Sequence, residues 1–363
     1  MPFRRCDGRA DRGRVGVAIR VVEYSAAVVA QSARDLPHDG LLSSRKAIAV
    51  LAPGSALAFE FMRWESQRDG AVPRASRSPP AYDPSAMTGL PVDADAFNAF
   101  EAAGWEKQVS GYRDFFGPIT TRLVGPLLDA AAVDRGARVL DVASGPGYVA
   151  AAAAQRGASV IGVDIAEGMI SLARRLHPQL DFCFANAEAL PFPDASFDAV
   201  VANFVLLHLG RPERAAAEFA RVLDADGRVA LTVWDRPDRA RFVGVLVDAV
   251  AEAGASAPQD IPVGPPIFRF SDEQELADLL REQGLDDIDV RTISFSHAEP
   301  SSDALWRGLL GGTVRLSALI LRQTDVMQRQ IRAAFDRIVQ RYEVDAGLEL
   351  PVSVKLASAR KPQ

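Results

Sequence analysis

Asp141, Gly145, Gly147 and Asp164 are spaced as parts of one ligand site. Val139, Leu140 and Val142 form the short apolar run that a buried parallel strand requires, and Ser144-Gly145-Pro146-Gly147 breaks it. Without a Cβ at 145 and 147 the backbone can turn sharply and lie close against a ligand. Ala150 to Ala154 are strong helix formers, and Gly157 is placed to end their helix. A strand, a glycine turn and a helix in that order build a nucleotide site across the carboxyl ends of an open parallel sheet.

Two ligand classes suit such a turn. Gly145-x-Gly147-x-x-Ala150 fits the loose dinucleotide pattern, which would make the chain an NAD(P)-dependent oxidoreductase. Asp141 argues against that, because a carboxylate at the strand end would repel a pyrophosphate. A ligand carrying an ammonium group would welcome it, and the ligand's own carboxylate could sit at the helix N-terminus. S-adenosylmethionine has both groups and no phosphate, so charge favours it.

The next segments continue the alternation. Ser159 to Asp164 is a second strand ending in an acid, seventeen residues past Gly147, with a carboxylate placed to accept from two ribose hydroxyls. Gly168 to Leu176 supplies a helix that His177-Pro178 stops. Leu180 to Ala185 is a third strand and Ser196 to Ala202 a fourth, with a loop from Asn203 to His208 at its end.

The segments VLDVASGPG, GVDIAEGMI, ANAEALPFPDASFDAVVANFVLLHL and RVLDADGRVALTVW, within residues 136–234, resemble the class I S-adenosylmethionine-dependent methyltransferases. The likeness is greatest to the type 11 group. It implies a Rossmann-like, open, seven-stranded, mostly parallel α/β sheet with flanking helices and one antiparallel strand near the edge. It also implies the cofactor contacts. Gly145 and Gly147 would line the methionine part, Asp141 would help hold its amine, and Asp164 would bind the ribose. Ile165 would pack on one adenine face, Asn186 and Ala187 would sit at the adenine edge, and Asn203 would lie near the methionine. A helix ahead of the sheet often brings a tyrosine to the methionine carboxylate, and Tyr112 is the candidate. Ala143 stands where the longer motif often has glycine, and Asn186 where aspartate is frequent.

These residues need a scaffold, and the chain of 363 residues has material for one large domain or two small ones. Net charge is −6, which argues against a general nucleic-acid binder. Two cysteines, Cys6 and Cys183, are too few for a disulfide framework, and the four histidines show no metal-ligand spacing. A cytoplasmic setting, no membrane partner and no metal are the expectations. Residues 1–86 carry a charge of +4 against −10 for the remainder, and 74–84 has Pro/Ser-rich linker composition. This segment is expected to be a poorly ordered extension, upstream of a true start at Met87. The methyltransferase domain then spans 87–363, with its core at 136–234.

Substrate-side helices are expected at 97–128, 236–283 and 302–342. The first is aromatic, from Phe97 to Phe116, and Gly117-Pro118 should interrupt it. Pro212 to Val222 is an amphipathic helix, and Ser271 to Gln274 a capping box. Two helices, 302–321 and 324–342, form an insertion before the last strand. The acceptor wall is expected to include the Pro262–Phe270 loop and the helix with Trp306, Leu309 and Leu310.

Methyl transfer from a sulfonium needs an aligned nucleophile, exclusion of water and sometimes removal of a proton. His208, at the rim beyond the fourth strand, is the candidate base; the competing reading is that it only packs locally. The fourth-strand loop reads Asn203-Phe204-Val205-Leu206, not the Asn-Pro-Pro-Tyr of DNA-adenine or protein-glutamine methylation. A small, fairly apolar organic acceptor is therefore favoured. A non-catalytic S-adenosylmethionine-binding regulatory module is the alternative from a different class. Sequence does not address the oligomeric state.

Overall fold

The computed structural model describes residues 93–363; the expected extension over 1–86 and the start at Met87 lie outside the described residues. Helix α1 (Ala94–Gly111) opens on Asp93, whose carboxylate accepts from the Ala96 N–H at 3.0 Å. Where Gly117-Pro118 should interrupt it, the chain instead stays helical. It passes through a π-helical turn (Tyr112–Phe116), α2 (Gly117–Thr120), a 3-10 turn (Thr121–Leu123) and α3 (Val124–Ala130). Pro118 accounts for the π turn. Its ring clashes with an ordinary i−4 carbonyl, so the helix widens by one residue ahead of it and the Gly117 N–H reaches Tyr112 O.

The sheet then begins with β1 (Arg138–Val142), and α4 (Tyr148–Gln155) crosses to β2 (Ser159–Asp164). Helix α5 (Glu167–Leu176) leads to β3 (Asp181–Phe184), and β4 (Phe197–Asn203) is joined through α6 (Pro212–Val222) to β5 (Leu223–Trp234). These five strands are parallel. After α7 (Arg241–Glu252) and α8 (Glu273–Arg281) comes β6 (Asp286–Glu299). The insertion follows as α9 (Ser302–Gly312), α10 (Arg315–Leu321) and α11 (Asp325–Val339), and β7 (Glu343–Val344) and β8 (Gly347–Arg360) close the chain.

Strand order is β3-β2-β1-β4-β5-β8-β6, and β8 runs antiparallel to both neighbours. That path is the expected seven strands with one antiparallel near the edge; the eighth, β7, is a two-residue pairing with β8. One sheet face packs Leu140 and Val200 in a core with Phe219 of α6 and Leu279 of α8. The other packs Val139 in a core with Leu127 of α3, Ala150 of α4 and Ile170 of α5. Strand order reverses between β1 and β4, which leaves a crevice at their carboxyl ends. Among the described residues no single helix is long and apolar enough to cross a membrane.

The expected helix over 302–321 is two, α9 and α10, bent by 110°. Gly311 and Gly312 end α9 at the break, and close packing explains Gly312. A Cβ on Gly111 would lie 1.7 Å from Gly311 O, and one on Gly312 would lie 2.6 Å from the Phe116 ring. The end of α1 and the π turn thus rest directly on α9 backbone. A Cβ on Gly311 itself would meet nothing within 4 Å. Gly111→Ala is therefore expected to lower unfolding free energy by about 1–3 kcal/mol, since the two helices must part. Gly311→Ala should leave it unchanged or slightly raised. Paired urea denaturation curves check both, and equal losses would contradict the packing described.

Candidate active site

A cleft of about 810 Å³ occupies the crevice at the strand ends. Its sheet-side wall carries Ala143 and Gly145 after β1, Asp164 and Ile165 at the end of β2, Asn186 and Ala187 after β3, and Asn203 at the end of β4. Tyr112 and His208 complete the predicted set on this wall.

Two predicted residues are not on it. Asp141 is buried at 1 % exposure, and its carboxylate turns under the glycine loop to accept the Ala150 N–H at 2.9 Å. It serves one of the orphan N–H groups in the first turn of α4 instead of facing a ligand. Burial, opposed by that hydrogen bond and reinforced by the Asp164 charge, pushes its carboxyl up to about 8. Gly147 caps α4 at φ 83°, and a Cβ there would lie 2.6 Å from the Phe182 ring. Its lack of a side chain admits the Phe182 ring.

Asp164 does line the cleft. Its Oδ2 accepts from Gly145 N–H at 2.8 Å and its Oδ1 from Ala166 N–H at 2.9 Å, which ties the glycine loop to β2. Burial raises its pKa, while the Ala166, Gly145 and Ile165 amides and the nearby His208 pull it down. Each oxygen keeps acceptor capacity for a ligand hydroxyl. Asn186 Oδ1 accepts from Glu188 N–H at 2.9 Å, an Asx turn that holds the segment after β3. Asn203 donates to Thr120 O at 3.2 Å and accepts from Thr232 Oγ1 at 2.6 Å, so β4 is braced on both sides. Tyr112 is half-buried, its hydroxyl 3.5 Å from Thr120 Oγ1, and desolvation pushes the phenol up to about 12. Ala143 adopts φ 55°, the left-handed conformation for which glycine is usual at this position of the motif.

The second acid was not singled out from sequence. Glu101 on α1 is 2 % exposed, lines the cleft, and has Oε2 2.9 Å from His208 Nδ1. Trp105 Nε1–H donates to the same oxygen at 3.1 Å, and its ring meets the His208 ring edge-on at 5.0 Å. The signal was present: Phe97, Glu101 and Trp105 recur at four-residue spacing, an acid within an apolar helix face. Asn98 also lines the cleft, donating to Glu188 Oε1 at 2.8 Å and accepting from Gly210 N–H at 2.7 Å. Phe204, between Asn203 and His208, sits at φ 61°, held by hydrogen bonds from its N–H to Thr232 and by its ring 4.4 Å from Trp234. Such strain in a bulky residue is typical of functional sites.

A family profile described as "Methyltransferase domain" matches residues 140–231, the stretch that supplies this wall. The demethylmenaquinone methyltransferase of Renibacterium salmoninarum is 31 % identical over 176 residues, 46 % of this chain and 74 % of that protein. The chain belongs to the class I S-adenosylmethionine-dependent methyltransferases. The Clavibacter sepedonicus enzyme of the same description is 32 % identical over 188 residues, covering 48 % of this chain and 73 % of its own. The methyltransferase's cofactor is S-adenosylmethionine, and one buried polar atom on the cleft wall fits a ligand there: Glu101 Oε1 has no hydrogen-bond partner.

Asp141 gives the methyltransferase a pH dependence whose sign is fixed. Its folded pKa of about 8 lies well above the ordinary carboxylate range, so the folded state binds the proton more tightly. This contribution to stability is complete below about pH 4 and is lost as pH rises through about 8. Without cofactor, unfolding free energy should fall between pH 5 and 8, and Asp141→Asn should flatten that slope. Urea denaturation at stepped pH measures it; an unchanged slope in the variant would contradict the assignment.

Proposed function

We propose that this methyltransferase transfers its methyl group to a nucleophilic O, N or C of a small organic molecule, with His208 as general base. One observation carries the reading. The cleft that joins Asp164, Asn186 and Asn203 also holds His208, with its Nδ1 fixed on Glu101. The names of the relatives, demethylmenaquinone methyltransferases, also point to a small-molecule acceptor.

When bound, S-adenosylmethionine supplies a methyl group already activated for in-line displacement. The chain then needs to bind, orient and deprotonate. Asp164 would receive the ribose hydroxyls, Ile165, Asn186 and Ala187 would frame the adenine, and Gly145, Tyr112 and Asn203 would surround the methionine part. Ala143 adds a turn of backbone on the same wall. Helix α1 covers this arrangement, held by Asn98 and by Glu106, whose Oε2 accepts from Gly168 N–H at 2.9 Å.

His208 Nδ1–H donates to Glu101, which leaves the Nε2 lone pair as the acceptor for a substrate proton. Glu101 then stabilises the imidazolium that forms. General-base assistance of this kind is worth roughly 10²–10⁴ in rate. His208→Ala should lower kcat by about that factor while leaving cofactor affinity within about twofold. Glu101→Gln should also lower kcat, because the imidazolium loses the counter-charge that stabilises it as it forms. A kcat within twofold of the parent for His208→Ala would remove the base role.

The decisive experiment is calorimetric titration with S-adenosylmethionine and with NADH, followed by an assay for S-adenosylhomocysteine formation with acceptors. Tight S-adenosylmethionine binding without turnover would leave a regulatory module, and NADH binding in its place would restore the oxidoreductase reading. Asp164→Asn should weaken S-adenosylmethionine binding by about 1–3 kcal/mol, through a buried acceptor exchanged for one with a competing donor. Unchanged affinity would remove Asp164 from the site.

A further inference from the structure

Beyond His208 lies a second pocket, partly open to solvent. Trp105, Tyr112, Phe204 and His208 line both spaces, so the two meet at the proposed base. The expected acceptor wall is corrected here. Ile267 contributes from the Pro262–Phe270 loop, but Trp306 packs on Phe335 at 5.0 Å and Leu309 is fully buried, so α9 gives only its end.

We propose that this chamber is the acceptor site, and that it takes an uncharged, flat aromatic compound of one or two fused rings bearing a ring hydroxyl. The inference rests on the first cavity holding the cofactor. Its walls are aromatic: Phe116 and Trp234 join the three shared rings. The Trp105 and Tyr112 planes stand at 89° with centroids 5.6 Å apart, and Tyr112 and Phe116 are parallel to within 12°. Ring faces and edges in such settings favour a planar aromatic guest in offset or edge-on contact.

Charge narrows the class. Among the described residues no Asp or Glu lines the chamber, so an ammonium acceptor would find no counter-ion there. Among them Arg315 is the one Lys or Arg on its wall, and it would also repel such a cation. Arg315 in turn presents no fork to a phosphate or carboxylate. Its Nη1 donates to Pro265 O at 2.5 Å and its Nη2 to Leu207 O at 2.8 Å, and its guanidinium lies over the Phe97 ring. The Thr120 hydroxyl donates to Phe116 O at 3.1 Å. The Thr313 hydroxyl donates to Leu309 O at 2.7 Å and the Tyr112 hydroxyl to Thr120 Oγ1 at 3.5 Å. That leaves His208, at the boundary with the cofactor cleft, as the group suited to take the proton of a ring hydroxyl.

The test is calorimetry on the full chain saturated with S-adenosylhomocysteine, titrated with 2-naphthol, choline, O-phosphoethanolamine and 2-naphthoate. Expected is binding of 2-naphthol, at least tenfold tighter than the charged compounds. Ile267→Trp, which fills the chamber from a half-buried loop, should abolish it without altering S-adenosylhomocysteine affinity. Thr313→Trp fills the chamber from the connection between α9 and α10 and serves if the first variant does not fold. Preference for any of the three charged compounds, or 2-naphthol binding unchanged in a folded blocked variant, would overturn the chamber's assignment while leaving the methyltransferase reading intact. Failure of S-adenosylhomocysteine to bind would instead fall on the cofactor site, and the same 2-naphthol titrations without it would still decide the chamber.

Discussion

The site is built on two buried carboxylates that hold backbone N–H groups. Asp141 takes the Ala150 amide at the start of α4, and Asp164 takes Gly145 and Ala166 on either side of the crevice. A tight turn between strand and helix leaves donors that neither element can satisfy, and burying them unpaired is costly. Acids at the ends of adjacent parallel strands solve that problem and fix the loop's path together. Ala143 and Gly145, which face the cleft, stand on the loop whose path those acids set.

A second structure closes over the first. The α1–π turn–α2 run lies on α9 through glycine contacts, and its polar side chains bond the loops beyond β2, β3 and β4. The apolar part of the run, with Phe115 and Phe116, belongs to the core formed with α7 and α11. Glu101 is the exception within that buried face, and it is offset by His208 and Trp105. A carboxylate placed so deep without a partner would be strongly disfavoured, so the pair is mutually dependent.

Much of this was legible in the chain. The alternation from Val139 to Asn203 carries its strands as apolar runs and its turns as glycine, proline and asparagine, all local signals, and the parallel sheet follows from them. The helix over 212–222 and the cleft positions of Asp164, Asn186, Asn203 and His208 also follow from local pattern and family likeness. What escaped was set by distant contacts. Whether Asp141 turns toward a ligand or toward Ala150 depends on a rotamer that spacing does not specify. Gly147 reads as a ligand-facing glycine until Phe182, from another strand, is placed beside it. The π turn needs Pro118 weighed against a tertiary contact that keeps the chain helical, and the break at Gly311-Gly312 needs α1 to be on the page. Glu101 needed its partner, 107 residues later in sequence.

Phe204 has a consequence for how such a site could change. Its left-handed backbone is tolerated because Thr232 and Trp234 grip it, and the ring so held forms part of the partition between the two cavities. A glycine there would relieve the backbone and remove the partition in the same stroke. Variation in what the enzyme accepts is therefore easier to reach through the outer surfaces of the chamber, at Ile267 or Thr313, than through the residue closest to the chemistry. The rigid inner divide and the adaptable outer wall would drift at different rates among descendants of this chain.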